Sequence, residues 1–249
     1  MALLLGGIAS SAQELTLDRV MVLAKKYFRD SAELPMDVAV TTVVTDAKGK
    51  QKRNSRSTVL LVFKGYNQET GRFSFQGRSG WFNTGALRDS LSGDFAAFIA
   101  ATYLAPKKDE PPPHHLEVRQ PANPGEPYVI TGHEPECPKF ELIERRLFPK
   151  HTCGSVEFRL IREGSDDLMF QHFSLDNGSL PAPAKTVYFG DAQVTSFRFE
   201  VDFQKTLLPG DPVPFLLPKQ TVTTIATDKG KIVITNLYTP KLRTKPSKS

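Results

Sequence analysis

Thr195 to Phe203 reads TSFRFEVDF. Phe197, Phe199, Val201 and Phe203 take every second position, and Arg198, Glu200 and Asp202 sit between them. Successive side chains of an extended chain point to opposite faces, so this run predicts a strand with one apolar face and one wetted face.

The β pattern extends in both directions from that strand. Val194 to Lys205 is read as the whole element. Downstream, Thr221 to Thr227 and Lys231 to Tyr238 flank Asp228-Lys229-Gly230, which predicts a hairpin. Between them lies Leu207 to Pro218 (LLPGDPVPFLLP). Its prolines point to irregular structure, and Val213, Phe215, Leu216 and Leu217 make it a plug on an apolar surface or the lining of a cavity, the plug being the simpler reading. Upstream, strands are expected at Tyr128 to Gly132, Phe140 to Leu147, Val156 to Arg162, Leu168 to Leu175 and Thr186 to Phe189. Near the start, Asp37 to Thr45, Arg56 to Lys64 and Arg72 to Gln76 are joined by Gly-containing turns and predict an antiparallel meander.

Helices are fewer. Leu17, Val20, Met21, Ala24 and Phe28 follow one face of a 3.6-residue period, with Thr16 as N-cap and Asp18 in the first turn. Pro35 ends any helical run, and the apolar face is expected on a sheet. Asn83 or Thr84 opens a short helix to Leu91, and Asp94 caps a second from Phe95 to Leu104. The second is apolar around most of its circumference, so it belongs in a buried place or inside a concave face. The proline-rich stretch Pro106 to His114 is read as a loop within one domain. The fold class is α+β, mainly antiparallel β.

The first twelve residues, MALLLGGIASSA, carry an apolar run ending in small residues before the polar Gln13-Glu14. This reads as the end of a secretory signal, which places the mature protein in the periplasm or outside the cell; the alternative is an apolar N-terminus that packs on the body. No Lys or Arg precedes Arg19, so the signal reads as clipped, with its true start upstream. No run approaches the ~20 apolar residues that span a bilayer. Residues 13–240 then form a single β-rich domain. At the other end Lys241, Arg243, Lys245 and Lys248 occur without an acid, a solvated and disordered basic tail over 241–249. Much of the +5 net charge resides there. The body is nearly neutral, with no basic helix and no aromatic-plus-basic repeat, which argues against a nucleic-acid partner.

Cys137 and Cys153 are the two cysteines. In an exported protein they read as a disulfide closing a loop worth ~3 kcal/mol. The alternative is zinc: His133 and His151 complete a set of four ligands, at spacings that fit no common finger. His114 and His115 follow three prolines and read as solvated; His172 reads as a satisfied strand position. Gly80-Trp81-Phe82 reads as a packing anchor. Nucleophile-elbow, dinucleotide, P-loop and His-Glu-x-x-His motifs are absent, no cofactor is called for, and turn acids such as Asp166-Asp167 read as solvated. The expectation is a protein that is not an enzyme.

The element order over residues 15–238 resembles that of the periplasmic lipoprotein carriers and their relatives, half-barrel proteins of the LolA and LppX type. The resemblance implies a curved, incomplete β-barrel with the N-terminal amphipathic helix and further helices packed on the concave face. It implies an apolar cavity lined by Phe95, Phe98, Ile99 and Tyr103 and by Phe197, Phe199 and Phe203, holding a lipid, an acyl chain or a lipoprotein. The bland alternative is that these residues pack on one another. The function expected is an exported binding protein for an apolar ligand or lipidated partner. The runner-up is an envelope structural or protein-interaction domain without a small ligand.

Overall fold

The computed structural model describes residues 14–25, 27, 34–67, 72–77, 85, 89, 116–133, 155–164, 167–176, 182–186, 188–207 and 212–241. The chain runs α1 (Leu17–Lys25), β1 (Leu34–Asp46), β2 (Gln51–Asn67), β3 (Arg72–Gly77), β4 (Leu116–Arg119), β5 (Tyr128–His133), β6 (Ser155–Arg162), β7 (Leu168–Asp176), β8 (Ala182–Thr186), β9 (Gly190–Thr206), β10 (Phe215–Thr227) and β11 (Gly230–Pro240). All strands join one antiparallel sheet, in the order β3-β2-β1-β11-β10-β9-β7-β6-β5-β4, with β8 beside β9. The sheet is open: β3 and β4 end the order without pairing to each other. Strands from both sides of the proline-rich stretch at 106–114 enter it.

Alternation gives this sheet its single buried face. Val118, Ile130, Phe158, Phe173, Val201, Thr221, Asn236 and Val40 are successive register partners from β4 to β1. A second row runs Val156, Leu175, Phe199, Thr223, Ile234 and Thr42. Apart from half-buried Val118, every one of these residues is buried. The period of two is reset by bulges. Ala226 pairs with Ser196 but Thr227 with Val194, so the inward phase of β9 passes from Val194 to Phe197. Bulges of this kind bend a strand and raise its twist.

The sheet curls toward its buried face. Phe63 on β2 stacks on Phe215 of β10, with ring centroids 6.0 Å apart and planes at 10°. Two strands, β1 and β11, lie between them. Three spacings in a flat sheet would hold the two backbones ~14 Å apart. At this end β11 runs out, pairing with β10 only from Gln220 and with β1 only as far as Pro240, and the two rings close together past it. At the same end, Leu216 N donates to Tyr27 O at 3.0 Å, which ties the chain after α1 to the start of β10.

Helix α1 forms where its periodicity predicts. Val20 N donates to Thr16 O at 3.0 Å, and Arg19 N approaches Thr16 Oγ1 at 3.4 Å, so Thr16 caps the helix. Val20 is fully buried, and Leu17 and Leu23 pack against the core beside β7 and β4.

Three expectations change. The strand read over Thr186 to Phe189 lies earlier, over Ala182–Thr186, while Tyr188 and Phe189 form the turn into β9. Gly190 takes φ 67° there, which a β-branched strand former would resist. The irregular loop read over Leu207 to Pro218 becomes strand from Phe215 onward. Pro218 is tolerated because its neighbour β11 begins pairing only at Gln220, so no ladder donor is lost on that side. Gln204 Nε2 instead donates to Pro218 O and Tyr238 O, at 3.1 and 3.3 Å. Strand β4 was not anticipated: it has four residues, too few to show a period.

Candidate functional site

The candidate site is the buried face of β9, β10, β11 and β1. On β9, Phe197 and Phe199 meet edge to face with centroids 4.2 Å apart, and Phe203 lies further along the same face. A second aromatic group continues it: Phe158 sits 4.8 Å from Phe173 and 6.2 Å from Phe170. All of these rings are buried. The alternation in TSFRFEVDF thus places each of its four apolar residues inward, and Arg198 outward among Glu200 and Asp176.

A polar patch interrupts this face. Thr221, Thr223 and Asn236 are buried on β10 and β11, and Thr42 on β1. Asn236 Nδ2 donates to Thr221 Oγ1 across the strand pair at 3.2 Å. Thr42 donates to Asp89 Oδ2 at 2.7 Å, and the Tyr188 hydroxyl donates to the same oxygen at 2.6 Å. Asp89 is helical and 2% exposed. Its carboxylate therefore joins β1 to the β8–β9 turn, elements that β11 and β10 separate within the sheet.

Thr223 is different. Its register partners are Phe199 and Ile234, both fully buried, and its own exposure is 1%. Among the described residues Thr223 Oγ1 has no hydrogen-bond partner. Burying a hydroxyl unpaired costs about 1–3 kcal/mol, and valine would fill the same volume without that cost.

Of the residues singled out from sequence, Phe197, Phe199 and Phe203 share this face. Phe95, Phe98, Ile99, Tyr103, Trp81, Cys137 and Cys153 lie outside the described residues, as do the strand at Phe140 to Leu147 and all but Gly85 and Asp89 of the middle helices. His172 is satisfied by its cross-strand partner, Nδ1 to Asp202 Oδ1 at 2.7 Å, away from the buried face. Thr42, Asp89, Tyr188, Thr223 and Asn236 were not legible. In β10 the inward Thr221, Thr223 and Ile225 alternate with Val222, Thr224 and Ala226, so polarity does not reveal which set is inside. Among the described residues no helix is long and apolar enough to cross a membrane, and no cluster of three or more His, Cys, Asp or Glu is placed to hold a metal.

No family model matches the sequence, and no curated protein matches it. One solved structure that is similar is that of a LolA superfamily protein from Nitrosomonas europaea. The match is distant. Identity is 13%, the TM-score is 0.41, and the alignment covers 94% of this chain and 97% of that one.

Proposed function

We propose that the protein is an exported, non-enzymatic binder that holds an apolar ligand, or the acyl chain of a lipidated partner, against the inner face of its half-barrel. The observation that carries this reading is the unpartnered Thr223 hydroxyl between Phe199 and Ile234. A buried polar atom left unpaired in a packed core calls for an explanation. A ligand whose chain lies along Phe197, Phe199 and Phe203 and whose polar group meets Thr223 supplies one. Phe95, Phe98, Ile99 and Tyr103 are proposed as further ligand contacts, and Asp89 accepts from Thr42 of β1. Ligand sites of this kind are mostly apolar, with a few placed polar groups.

Native mass spectrometry and solvent extraction of the purified full chain test the reading. The expected result is a co-purifying amphiphile, retained several-fold less by Thr223→Val and Phe199→Ala. Thr223→Val is the sharper variant, because in a solid core it raises stability and changes nothing else. An experimentally determined interior that is filled and dry, together with no extractable ligand, would overturn the proposal.

A further inference from the structure

One end of the sheet is built from three hairpin tips. The β1–β2 turn lies beside the β10–β11 turn, because Asp46 and Gly230 are register partners. The β8–β9 turn joins them: a Cβ on Gly230 would stand 2.8 Å from Phe189 Cζ, and Asp228 N donates to Gln193 O at 2.9 Å. This end is strongly basic. Lys48, Lys50, Lys52, Arg53 and Arg56 fall within 48–56 with no acid among them, and Lys229 and Lys231 come from the neighbouring hairpin. All seven are exposed.

Two of the acids at this end, Asp46 and Asp228, are engaged, while Asp191 at the start of β9 is exposed. Asp46 accepts from Lys48 N and Lys50 N at 3.0 and 2.9 Å and pairs with Lys52 Nζ at 3.2 Å. Asp228 Oδ1 accepts from Gln193 N at 2.8 Å. Lys229 Nζ is turned back onto the Phe189 and Asp191 carbonyls. Among the described residues the side chains of Lys48, Lys50, Arg53, Arg56 and Lys231 have no acidic partner. The opposite end differs: there Lys205 pairs with Glu163, and Lys241 with Asp37. Among the described residues, five cations without an acidic partner thus gather at this end.

We propose that this basic end docks on an anionic lipid bilayer. The inference stands on surface charge and goes beyond the ligand reading. Clusters of four to eight Lys and Arg are bound by acidic headgroups, each cation contributing roughly fivefold to partitioning. Nucleic acid fits less well. Single strands need open aromatic platforms, but the Tyr188 ring is covered by Arg53 at 5.4 Å and its hydroxyl is held by Asp89. Phe189 closes against Gly230. Three adjacent turns of a sheet also provide no helix or ribbon to enter a groove.

Co-sedimentation of the full chain with vesicles tests the proposal. Binding is expected to phosphatidylglycerol-containing vesicles and not to pure phosphatidylcholine, with release in high salt. Lys48→Gln with Lys50→Gln should weaken it on the order of tenfold. Both side chains leave the turn's backbone donors intact, so the melting temperature should not move; Arg56→Gln with Lys231→Gln is a second pair on β2 and β11. Lys241→Gln, at the opposite end, should bind as the parent does. Equal binding to both vesicle types, unchanged binding by both pairs, or an equal loss in Lys241→Gln would overturn it. So would a DNA duplex that binds in a hairpin-dependent way where anionic vesicles do not. Ligand content does not enter this readout, so its failure leaves the ligand proposal standing.

Discussion

The Thr42 hydroxyl donates to Asp89 Oδ2 at 2.7 Å, a buried contact across 47 positions of sequence. Tyr188 donates to the same oxygen, so one carboxylate ties a helical residue to β1 and to the β8–β9 turn. Asp89→Ala removes the acceptor that both hydroxyls share and should cost about 2–4 kcal/mol, ~1–3 for the buried Thr42 and less for the half-buried Tyr188. Asp89→Asn keeps an acceptor oxygen and should cost less, and Thr42→Val about 1 kcal/mol. Urea unfolding of the three variants checks the ranking; equal stability of Asp89→Ala and the parent would show that the contact holds nothing.

The stack of Phe63 on Phe215 closes the other end. Phe215→Ala should destabilise by about 3–5 kcal/mol, because a fully buried ring leaves a cavity between elements that cannot collapse. A double-mutant cycle with Phe63→Ala should give a coupling of about 0.5–1.5 kcal/mol. Additive losses would mean that the rings bury area without supporting the inward curl.

The two cysteines should be bridged. His133 and Ser155 are register partners on β5 and β6, so the chain leaves and re-enters the sheet at neighbouring strands. Cys137 follows His133 by four positions and Cys153 precedes Ser155 by two. Protein purified from an oxidising compartment should be two protons lighter than its reduced form, and Cys153→Ser should lose ~3 kcal/mol. Two alkylatable thiols in material from the oxidising compartment would remove the bridge and reopen the zinc reading.

Stability should fall on acidification. A hydrogen bond from the Lys50 backbone, with those from Lys48 and Lys52, holds the Asp46 carboxyl below its usual range. The Asn123 side chain and backbone do the same for Glu126. A depressed folded-state value means that the contribution is present above the unfolded values of ~3.9 and ~4.3, and is lost as pH falls through the folded ones. Melting temperatures between pH 5 and pH 2, titrated in steps, should show a smaller drop for Asp46→Asn than for the parent. Lys205 behaves oppositely. Burial alone would lower it, but its bond to Glu163 and the neighbouring Tyr27 raise it on balance. Its contribution should be present below ~10.4 and lost as pH rises through the folded value.

Sequence by itself determined the strands whose alternation is complete. Phe197 to Phe203, the β1–β2 meander and the Asp228-Lys229 hairpin are local patterns, and a pleated chain translates them directly into faces and turns. Helix α1 was legible for the same reason, since its cap and stripe lie within three turns. Tertiary structure decided what depends on neighbours. Pro218 could be strand only because β11 pairs from Gln220 onward, and no residue near Pro218 announces that. Thr221, Thr223 and Asn236 face inward only because register carries the apolar row of β9 across to β10 and β11. Asp89 looked like any helix acid until curvature brought Thr42 and Tyr188 to one of its oxygens. Periodicity is written in the order of residues, whereas polar partners and curvature are set by which strands lie side by side.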